Sequence, residues 1–125
     1  MKLGRYQLVD RIAVGGMAEI FLARERGLAG FERPVIVKSI LPALSQDTDF
    51  IDMFLDEARL AARLSHPRIV HIYELGHDDG RYFIAMEYVP GCDLERLLDA
   101  RGGPLPLSEA LHITSEVLEG LHFAH

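Results

Sequence analysis

The chain has 125 residues, of which 49% are hydrophobic and 26% are charged, a balance that is typical of a folded domain and not of a disordered tail. Its net charge is −6 and its 13 Lys and Arg residues form no basic run, so no surface for nucleic acid or anionic lipid is expected. The single Cys92 excludes an internal disulfide, and no stretch approaches the roughly 20 apolar residues that a membrane span needs. Because the N-terminus also lacks the apolar segment of a secretion signal, we expect a cytoplasmic location.

Three strands are predicted in the first 40 residues. Residues 6–13 and 19–24 are apolar runs that flank the glycine-rich stretch IAVGGMAEIF, residues 12–21, and together they predict a β-hairpin. The β-branched run PVIVKSI, residues 34–40, predicts the third strand, because Pro34 is tolerated at the first position of a strand.

A long helix is predicted next. Residues 47–64 have helical periodicity, with Asp47 or Thr48 as the N-cap, and the pattern stops at His66-Pro67. It is the one helix predicted between strands.

A second hairpin follows this helix. Residues 69–77 and 81–89 are strand-like runs around an Asp78-Asp79-Gly80 turn. The Asp-Gly pair suits the positive-φ positions of a tight hairpin turn, so the two strands are expected to be antiparallel.

Only helices are predicted after residue 90. Residues 93–100 predict a short helix, and Ser108 is predicted to cap a final helix that extends to the last residue. Strands and helices do not alternate along the chain, which indicates an α+β organisation rather than a doubly wound sheet. We expect two blocks, residues 1–89 and residues 90–125.

One acidic residue of the predicted long helix falls on its apolar side. On a helical wheel Glu57 lies in the centre of the stripe that faces the core. The stripe consists of Phe50, Phe54, Ala61 and Leu64. An unpaired buried carboxylate is costly, so the position requires a cationic partner or a solvated cleft. Lys38 is the candidate partner, because it shares a face of an otherwise apolar strand with Ile36 and Ile40; alternatively, both charges lie at exposed edges.

Five sequence motifs occur together in a specific order and spacing. They are IAVGGMAEIF, VIVK, Glu57, LSHPRIV and YFIAMEYVPGCDL. In this arrangement they resemble the N-terminal lobe of bacterial eukaryotic-like serine/threonine protein kinases, and the resemblance covers essentially the whole chain. It implies an α+β fold with a kinase-like N-lobe, made of a five-stranded antiparallel sheet and one long helix, followed by two helices of an incomplete C-lobe. Residues 1–89 would then bind ATP.

The resemblance implies that the glycine-rich loop covers the phosphates of ATP with its backbone N–H groups. The family pattern G-x-G-x-x-G-x-V puts its three glycines at Ala13, Gly15 and Ala18, so only the middle one is present. Because Ala disfavours positive φ by about 1 kcal/mol, we expect a stiffer or slightly displaced loop. The loop residues that the resemblance assigns to nucleotide binding are Ile12, Ala13, Gly15, Gly16, Met17 and Ala18.

The resemblance gives catalytic roles to Lys38 and Glu57. Lys38 matches the strand lysine that bridges the α- and β-phosphates, and Glu57 matches the helix acid that holds this lysine in place. Ile20 and Ile36 would sandwich the adenine ring. Ile36 stands where the family usually has Ala, so we expect a narrower adenine slot.

Four residues around the predicted block boundary at residue 90 match the family's adenine and ribose contacts. Met86 falls at the gatekeeper position, and the Glu87 carbonyl and the Val89 N–H would contact the adenine edge. Asp93 would reach the ribose. Alternatively, Asp93 is the acid that begins the next helix and is stabilised by the helix dipole.

The motifs that complete phosphoryl transfer in this family are absent from the 125 residues. H-R-D, the catalytic-loop Asn and D-F-G supply the base and the Mg²⁺ ligands, so no metal ligand is predicted here. We therefore expect the ATP-binding portion of a serine/threonine protein kinase, truncated or split, that uses ATP with Mg²⁺ only as part of a complete kinase. Its protein substrate or partner kinase is not specified by the sequence.

The alternative hypothesis is a non-catalytic, pseudokinase-like interaction module or a gene remnant. The predicted last helix carries an apolar face that a complete C-lobe would bury. This face consists of Ala110, Leu111, Ile113, Val117, Leu118, Leu121 and Ala124. A module of this kind would use the face to bind a partner such as a complete kinase.

Overall fold

A computed structural model describes residues 1–125 and contains one antiparallel sheet of six strands. The strands are β1 (Lys2–Leu3), β2 (Tyr6–Val14), β3 (Ala18–Arg26), β4 (Glu32–Ile40), β5 (Ile72–Asp78) and β6 (Arg81–Glu87). Their order in the sheet is β1-β2-β3-β4-β6-β5. The helices are α1 (Thr48–Ala62), α2 (Leu94–Arg101) and α3 (Leu107–Ala124), and short 3₁₀ turns span Leu28–Gly30 and Pro42–Leu44.

The central strand β4 divides the packing of the sheet into two faces. Side chains alternate along a strand, so Val35, Val37 and Ser39 lie on one face, which we call the closed face. All three are fully buried, and they pack in a cluster that includes Tyr6 and Phe83. The opposite face, which we call the helix face, carries Ile36, Lys38 and Ile40, and α1 packs against it.

The closed face is covered because the sheet curls until its first and last strands meet. The Gly4 N–H, next to β1, donates a 2.7 Å hydrogen bond to Oδ2 of Asp78 at the end of β5. The guanidinium of Arg5 pairs with the carboxylate of Glu74 in the same strand. The Tyr6 and Phe83 rings meet edge to face at 5.9 Å within the enclosed space, where burial raises the pKa of the Tyr6 hydroxyl. The closed face is therefore buried without a covering helix.

Close packing under the curl requires a glycine at position 76. Gly76 on β5 lies directly opposite Phe83 on β6, and a Cβ at this position would overlap the Phe83 ring. Because Phe83 is itself fully buried, its ring has no free space into which it can move.

The helix face is built around α1. Asp47 caps the helix by accepting hydrogen bonds from the N–H groups of Asp49 and Phe50, at 3.1 and 3.4 Å, which confirms the first of the two predicted caps. Phe54 and Ala58 are the buried residues of α1. They pack with Ala18, Ile40 and Ile84 from the sheet.

Two details of the predicted fold are wrong. The sheet has six strands rather than five, because residues 2–3 pair with residues 6–7 as an additional edge strand. Ser108 does not cap α3. Pro106 has extended backbone (φ −53°, ψ 146°) and the helix begins directly after it, so Ser108 falls inside the first turn and no side chain caps the helix.

The second hairpin has the predicted turn. Asp79 and Gly80 connect β5 and β6 with φ values of 51° and 73°, the left-handed conformation that the Asp-Gly pair favours. The α1 helix and both later helices also occur within one or two residues of their predicted bounds.

Backbone contacts divide the chain into two units. The first comprises residues 1–63 and 71–88, and the second comprises residues 64–70 and 89–125. The functional division at residue 90 stays a prediction.

The second unit is organised around α3. Gly120 is the buried residue of this helix and packs against Arg68 and Ile69, while the Arg68 guanidinium pairs with Glu116. None of the helices combines the length and the apolar character that a membrane crossing requires.

Candidate functional site

A cavity of about 420 Å³ opens on the helix face of the sheet, within the first unit. Its lining comes from the β2–β3 turn, β3, β4 and α1. The lining residues are Gly15, Gly16, Met17, Ala18, Ile20, Lys38, Phe54 and Glu57. This volume lies within the range of small-molecule sites, about 300–1,000 Å³.

The glycine-rich turn forms one wall of the cavity. The Gly15 N–H donates a 2.8 Å hydrogen bond to the Ala18 carbonyl, which closes the turn between β2 and β3. The Leu41 N–H donates to the Met17 carbonyl at 2.8 Å and ties the turn to the end of β4. The turn is thus held over the cavity by backbone hydrogen bonds at its base.

The backbone cost expected at the two loop alanines does not occur, while a stiffer or slightly displaced loop stays a prediction. No residue from Ala13 to Ala18 has a positive φ, so Ala at either position costs no backbone strain. An added Cβ would also be tolerated at Gly15, where it would meet only the Ala18 carbonyl oxygen at 3.6 Å, and at Gly16, where it would meet nothing within 4 Å. The fold itself therefore needs no glycine at 15 or 16, and the space beside their backbone, which we call the cradle, is not filled by the protein.

The two charges singled out in the sequence meet in the cavity. Nζ of Lys38 on β4 donates a 2.7 Å hydrogen bond to Oε1 of Glu57 on α1. The Lys38 side chain is 25% exposed and that of Glu57 is 53% exposed, so the pair lies at the wet edge of the apolar stripe. The structure thus confirms the predicted partnership and supplies the solvated cleft as well.

Phe54 is a lining residue that the sequence reasoning assigned only to the core. It lies one helical turn before Glu57 on α1, and residues three apart share a helix face. It is fully buried and closes the inner end of the cavity. The spacing between Phe54 and Glu57 was the available signal.

Besides Glu87, four predicted nucleotide contacts of the first unit lie outside the cavity lining. Ile12 and Ala13 are exposed on β2, and Ile36 and Met86 lie opposite each other on β4 and β6. Met86 packs against the core cluster of the helix face. The roles of Ile12 and Ala13 in the nucleotide loop, and of Ile36 and Met86 around the adenine ring, stay predictions.

The predicted adenine-edge and ribose residues have other contacts in the structure. The Glu87 N–H donates to the His71 carbonyl at 2.9 Å, and the Glu87 carboxylate accepts from the His71 N–H at 3.1 Å. Val89 and Asp93 belong to the second unit, where Val89 is exposed. Asp93 caps α2 by accepting from the Arg96 N–H at 2.8 Å, which is the alternative role that the sequence allowed. Its contact with ribose stays a prediction.

The fold and this lysine–glutamate cavity define a protein kinase domain. The family model described as "Protein kinase domain" matches residues 6–125, nearly the whole chain, so the chain belongs to the protein kinase family.

Individual relatives make the comparison more specific. The chain is 50% identical over 125 residues to the tyrosine-protein kinase MasK of Myxococcus xanthus, and 41% identical over 122 residues to the serine/threonine-protein kinase PrkC of Bacillus subtilis. Each match covers 98% of this chain but only 19% of MasK and 18% of PrkC. The chain therefore spans about a fifth of the length of these curated relatives.

Solved kinase domains confirm the fold prediction. The crystal structure of the PknI kinase domain of Mycobacterium tuberculosis matches with a TM-score of 0.76 and 32% sequence identity. The match covers 100% of this chain and 50% of the PknI chain. The chain thus corresponds to the N-lobe and part of the C-lobe of a kinase domain.

Proposed function

We propose that this chain is the ATP-binding portion of a protein kinase that phosphorylates Ser or Thr residues of other proteins. The observation that carries the proposal is the 2.7 Å pair between Lys38 and Glu57 in a cavity walled by the glycine-rich turn. A lysine amine, a carboxylate that orients it and open space beside Gly15 and Gly16 are features that suit phosphate binding.

Lys38 would bind the α- and β-phosphates, and Glu57 would orient it. A lysine ammonium has three N–H donors, so the bond to Glu57 leaves donors available for phosphate oxygens. Because the pair is partly exposed, the approach of a phosphate to Lys38 costs little in desolvation. Glu57 thus positions the lysine without competing strongly for it.

Mg²⁺ would need ligands from elsewhere in the complete kinase. The described residues contain no group of three His, Cys, Asp or Glu side chains that could hold a metal ion. In this family the metal neutralises the phosphate charge, and it is held by the catalytic-loop Asn and the D-F-G Asp, motifs that do not occur in these 125 residues.

A comparison of the two lysines of this chain tests the proposal. We expect the folded chain to bind ATP in a calorimetric titration, and Lys38→Met to weaken the affinity by at least about tenfold, because a charge-assisted contact to phosphate is lost. Lys2→Met is the matched control, since Lys2 is the only other lysine and lies on β1, away from the cavity. Absence of ATP binding by the folded wild-type chain, or equal loss in both variants, would refute the proposal.

The phosphate acceptor is proposed from the relatives' names. PrkC and PknB are named as serine/threonine kinases, and this supports Ser or Thr. MasK, which is more similar to this chain, is named as a tyrosine kinase and makes Tyr the second candidate. If the coding sequence after His125 supplies H-R-D and D-F-G, phosphoamino-acid analysis of substrates of the full product distinguishes the two.

A non-catalytic interaction module is the second candidate function. It is favoured by the exposed apolar side chains of α3, which include Leu111, Val117, Leu118 and Leu121. A specific partner should be captured by the wild-type chain and lost in Val117→Asp. Non-specific association that Val117→Asp leaves unchanged argues against the module.

A further inference from the structure

A largely buried carboxylate lies on the closed face of the sheet, next to the glycine-rich turn. Glu19 follows Ala18 on β3, and its side chain is only 14% exposed. It is approached by two guanidinium groups, those of Arg81 on β6 at 3.5 Å and of Arg11 on β2 at 3.7 Å. Glu19 therefore connects three strands on the side of the sheet that faces away from the cavity.

Arg81, the partner of Glu19 on β6, has a largely buried side chain with contacts to two other strands. Its side chain is 13% exposed, and its Nη2 also lies 3.5 Å from the Ile40 carbonyl oxygen at the end of β4. Its buried Nε has no hydrogen-bond partner. A buried ion pair with an unsatisfied donor adds little net stability, and the best-attested use of such pairs is to fix one arrangement of the chain.

Arg11 marks the place where the pairing of the hairpin is irregular. Arg11 lies opposite Phe21, whereas Ala13 lies opposite Ile20, so β2 carries one extra residue, Ile12, in a bulge beside the turn. The Arg11–Glu19 contact runs diagonally across this bulge. Register is weakly specified where the chain next to a bulge is exposed, as β2 is here, and a diagonal charge pair opposes slippage.

We propose that Glu19 is a positioning residue for the nucleotide site, and this inference rests on the proposed ATP binding. Ala18 and Ile20, its neighbours on β3, line the cavity. The Ala18 carbonyl accepts the hydrogen bond that closes the turn, and the Met17 carbonyl accepts the one from Leu41. The Glu19 carboxylate holds β3 to β6 through Arg81, and to β2 through Arg11 on the bulged strand. It thereby fixes the distance between the turn and the phosphates of the bound nucleotide.

The same strand offers a matched control. Glu25, six residues further along β3, is also largely buried and also lies between two arginines, Arg33 at 2.5 Å and Arg5 at 3.5 Å. It lies at the end of β3 remote from the turn. A purely structural ion pair should behave alike at both positions, whereas a positioning role is expected only at Glu19.

The test compares Glu19→Gln with Glu25→Gln in the full 125-residue chain. Two quantities are measured, the ATP dissociation constant and hydrogen exchange of the Gly15 and Leu41 amides without nucleotide. For Glu19→Gln we expect about tenfold weaker ATP binding and about tenfold faster exchange of these two amides. The Glu87 amide, bonded to the His71 carbonyl, is the internal reference and should not change. For Glu25→Gln we expect both quantities to stay at wild-type values.

Arg11→Met keeps the test decisive if Glu19→Gln fails to fold, and a double variant tests the coupling if Glu19→Gln does fold. Arg11→Met removes only the exposed partner of Glu19, whose side chain is 58% exposed, and should accelerate exchange of the turn amides about threefold. The double variant Glu19→Gln/Arg81→Met should bind ATP no more weakly than the worse of its two single variants, because both single changes remove one coupled interaction.

The outcomes separate this inference from the proposed function. Equal effects of Glu19→Gln and Glu25→Gln, or no acceleration of the turn amides in any Glu19 or Arg11 variant, overturn the positioning role. If the wild-type chain binds no ATP, the proposed function fails. The hydrogen exchange of the Gly15 and Leu41 amides in the Glu19 variant, compared with wild type, then tests by itself whether Glu19 holds the turn.

Discussion

The two faces of β4 carry different kinds of chemistry only one residue apart. On the closed face Val35, Val37 and Ser39 have no solvent exposure, and the curl of the sheet seals them. On the helix face Lys38 points into an open cavity and pairs with Glu57. Because successive residues of a strand face opposite sides, one strand contributes to a core and to the lining of a cavity at once.

The closed face contributes mainly to the stability of the fold, whereas the helix face leaves a cavity open. The closed face has no charged side chain in its buried cluster and is packed against the Phe83 and Tyr6 rings. On the helix face, a Cβ added at Gly16 would meet no other atom within 4 Å, so the space beside this residue is open. Substitutions on the two faces should therefore affect different measurements.

The largest effect on stability is expected from Phe83→Ala on the closed face. Removing a fully buried aromatic ring typically lowers the free energy of unfolding by about 3–5 kcal/mol. Chemical denaturation followed by circular dichroism measures the loss. ATP affinity per folded molecule should remain unchanged, and a parallel fall in this affinity would break the separation between the two faces.

A smaller loss is expected from Gly76→Ala, which adds one methyl group to the same face. The new Cβ overlaps the Phe83 ring, and overpacking of this kind costs about 1–3 kcal/mol. Gly80→Ala is no control here because Gly80 has φ 73°, whereas Gly103→Ala is suitable, since its Cβ would meet nothing. Equal denaturation midpoints of Gly76→Ala and wild type would contradict the tight closure.

The smallest effect on stability, with the opposite sign, is expected from Gly16→Ala on the helix face. Gly16 has no positive φ and open space around it, so Ala restricts the unfolded chain and should raise the unfolding free energy by about 0.4–1 kcal/mol. Under the proposed function the same methyl group would fill part of the cradle where the phosphates lie, so ATP should bind more weakly. Unchanged ATP affinity in a stabilised variant would mean that the cradle does not hold the nucleotide.

Local sequence signals predicted much of the fold and part of the site. The Asp47 cap, the Asp79-Gly80 turn and the charge of Glu57 on an apolar stripe each depend on residues within one turn or one helix. The pairing of Glu57 with Lys38 followed because Lys38 was the only cation in a strand that was otherwise apolar.

The features that were missed depend on contacts between distant segments. A two-residue strand such as β1 has too few residues to show any periodicity. Ser108 has the side chain of a cap, but it does not cap the helix because α3 begins after Pro106, two residues earlier than predicted. The Glu19–Arg81 pair joins residues 62 apart, and no local pattern indicates which of the chain's arginines Glu19 meets.

Because the sheet curls, residues next to the first strand depend on contacts with residues that are synthesised much later. The Gly4 N–H is held by Asp78, and Arg5 by Glu74, residues 74 and 69 positions further along the chain. The N-terminal strand is made first, yet it cannot gain these partners until residue 78 has left the ribosome. Closing so long a loop costs only slightly more entropy than closing a shorter one, because the cost grows with the logarithm of length. The segment before β2 therefore gains these two contacts only after most of its first unit has been made.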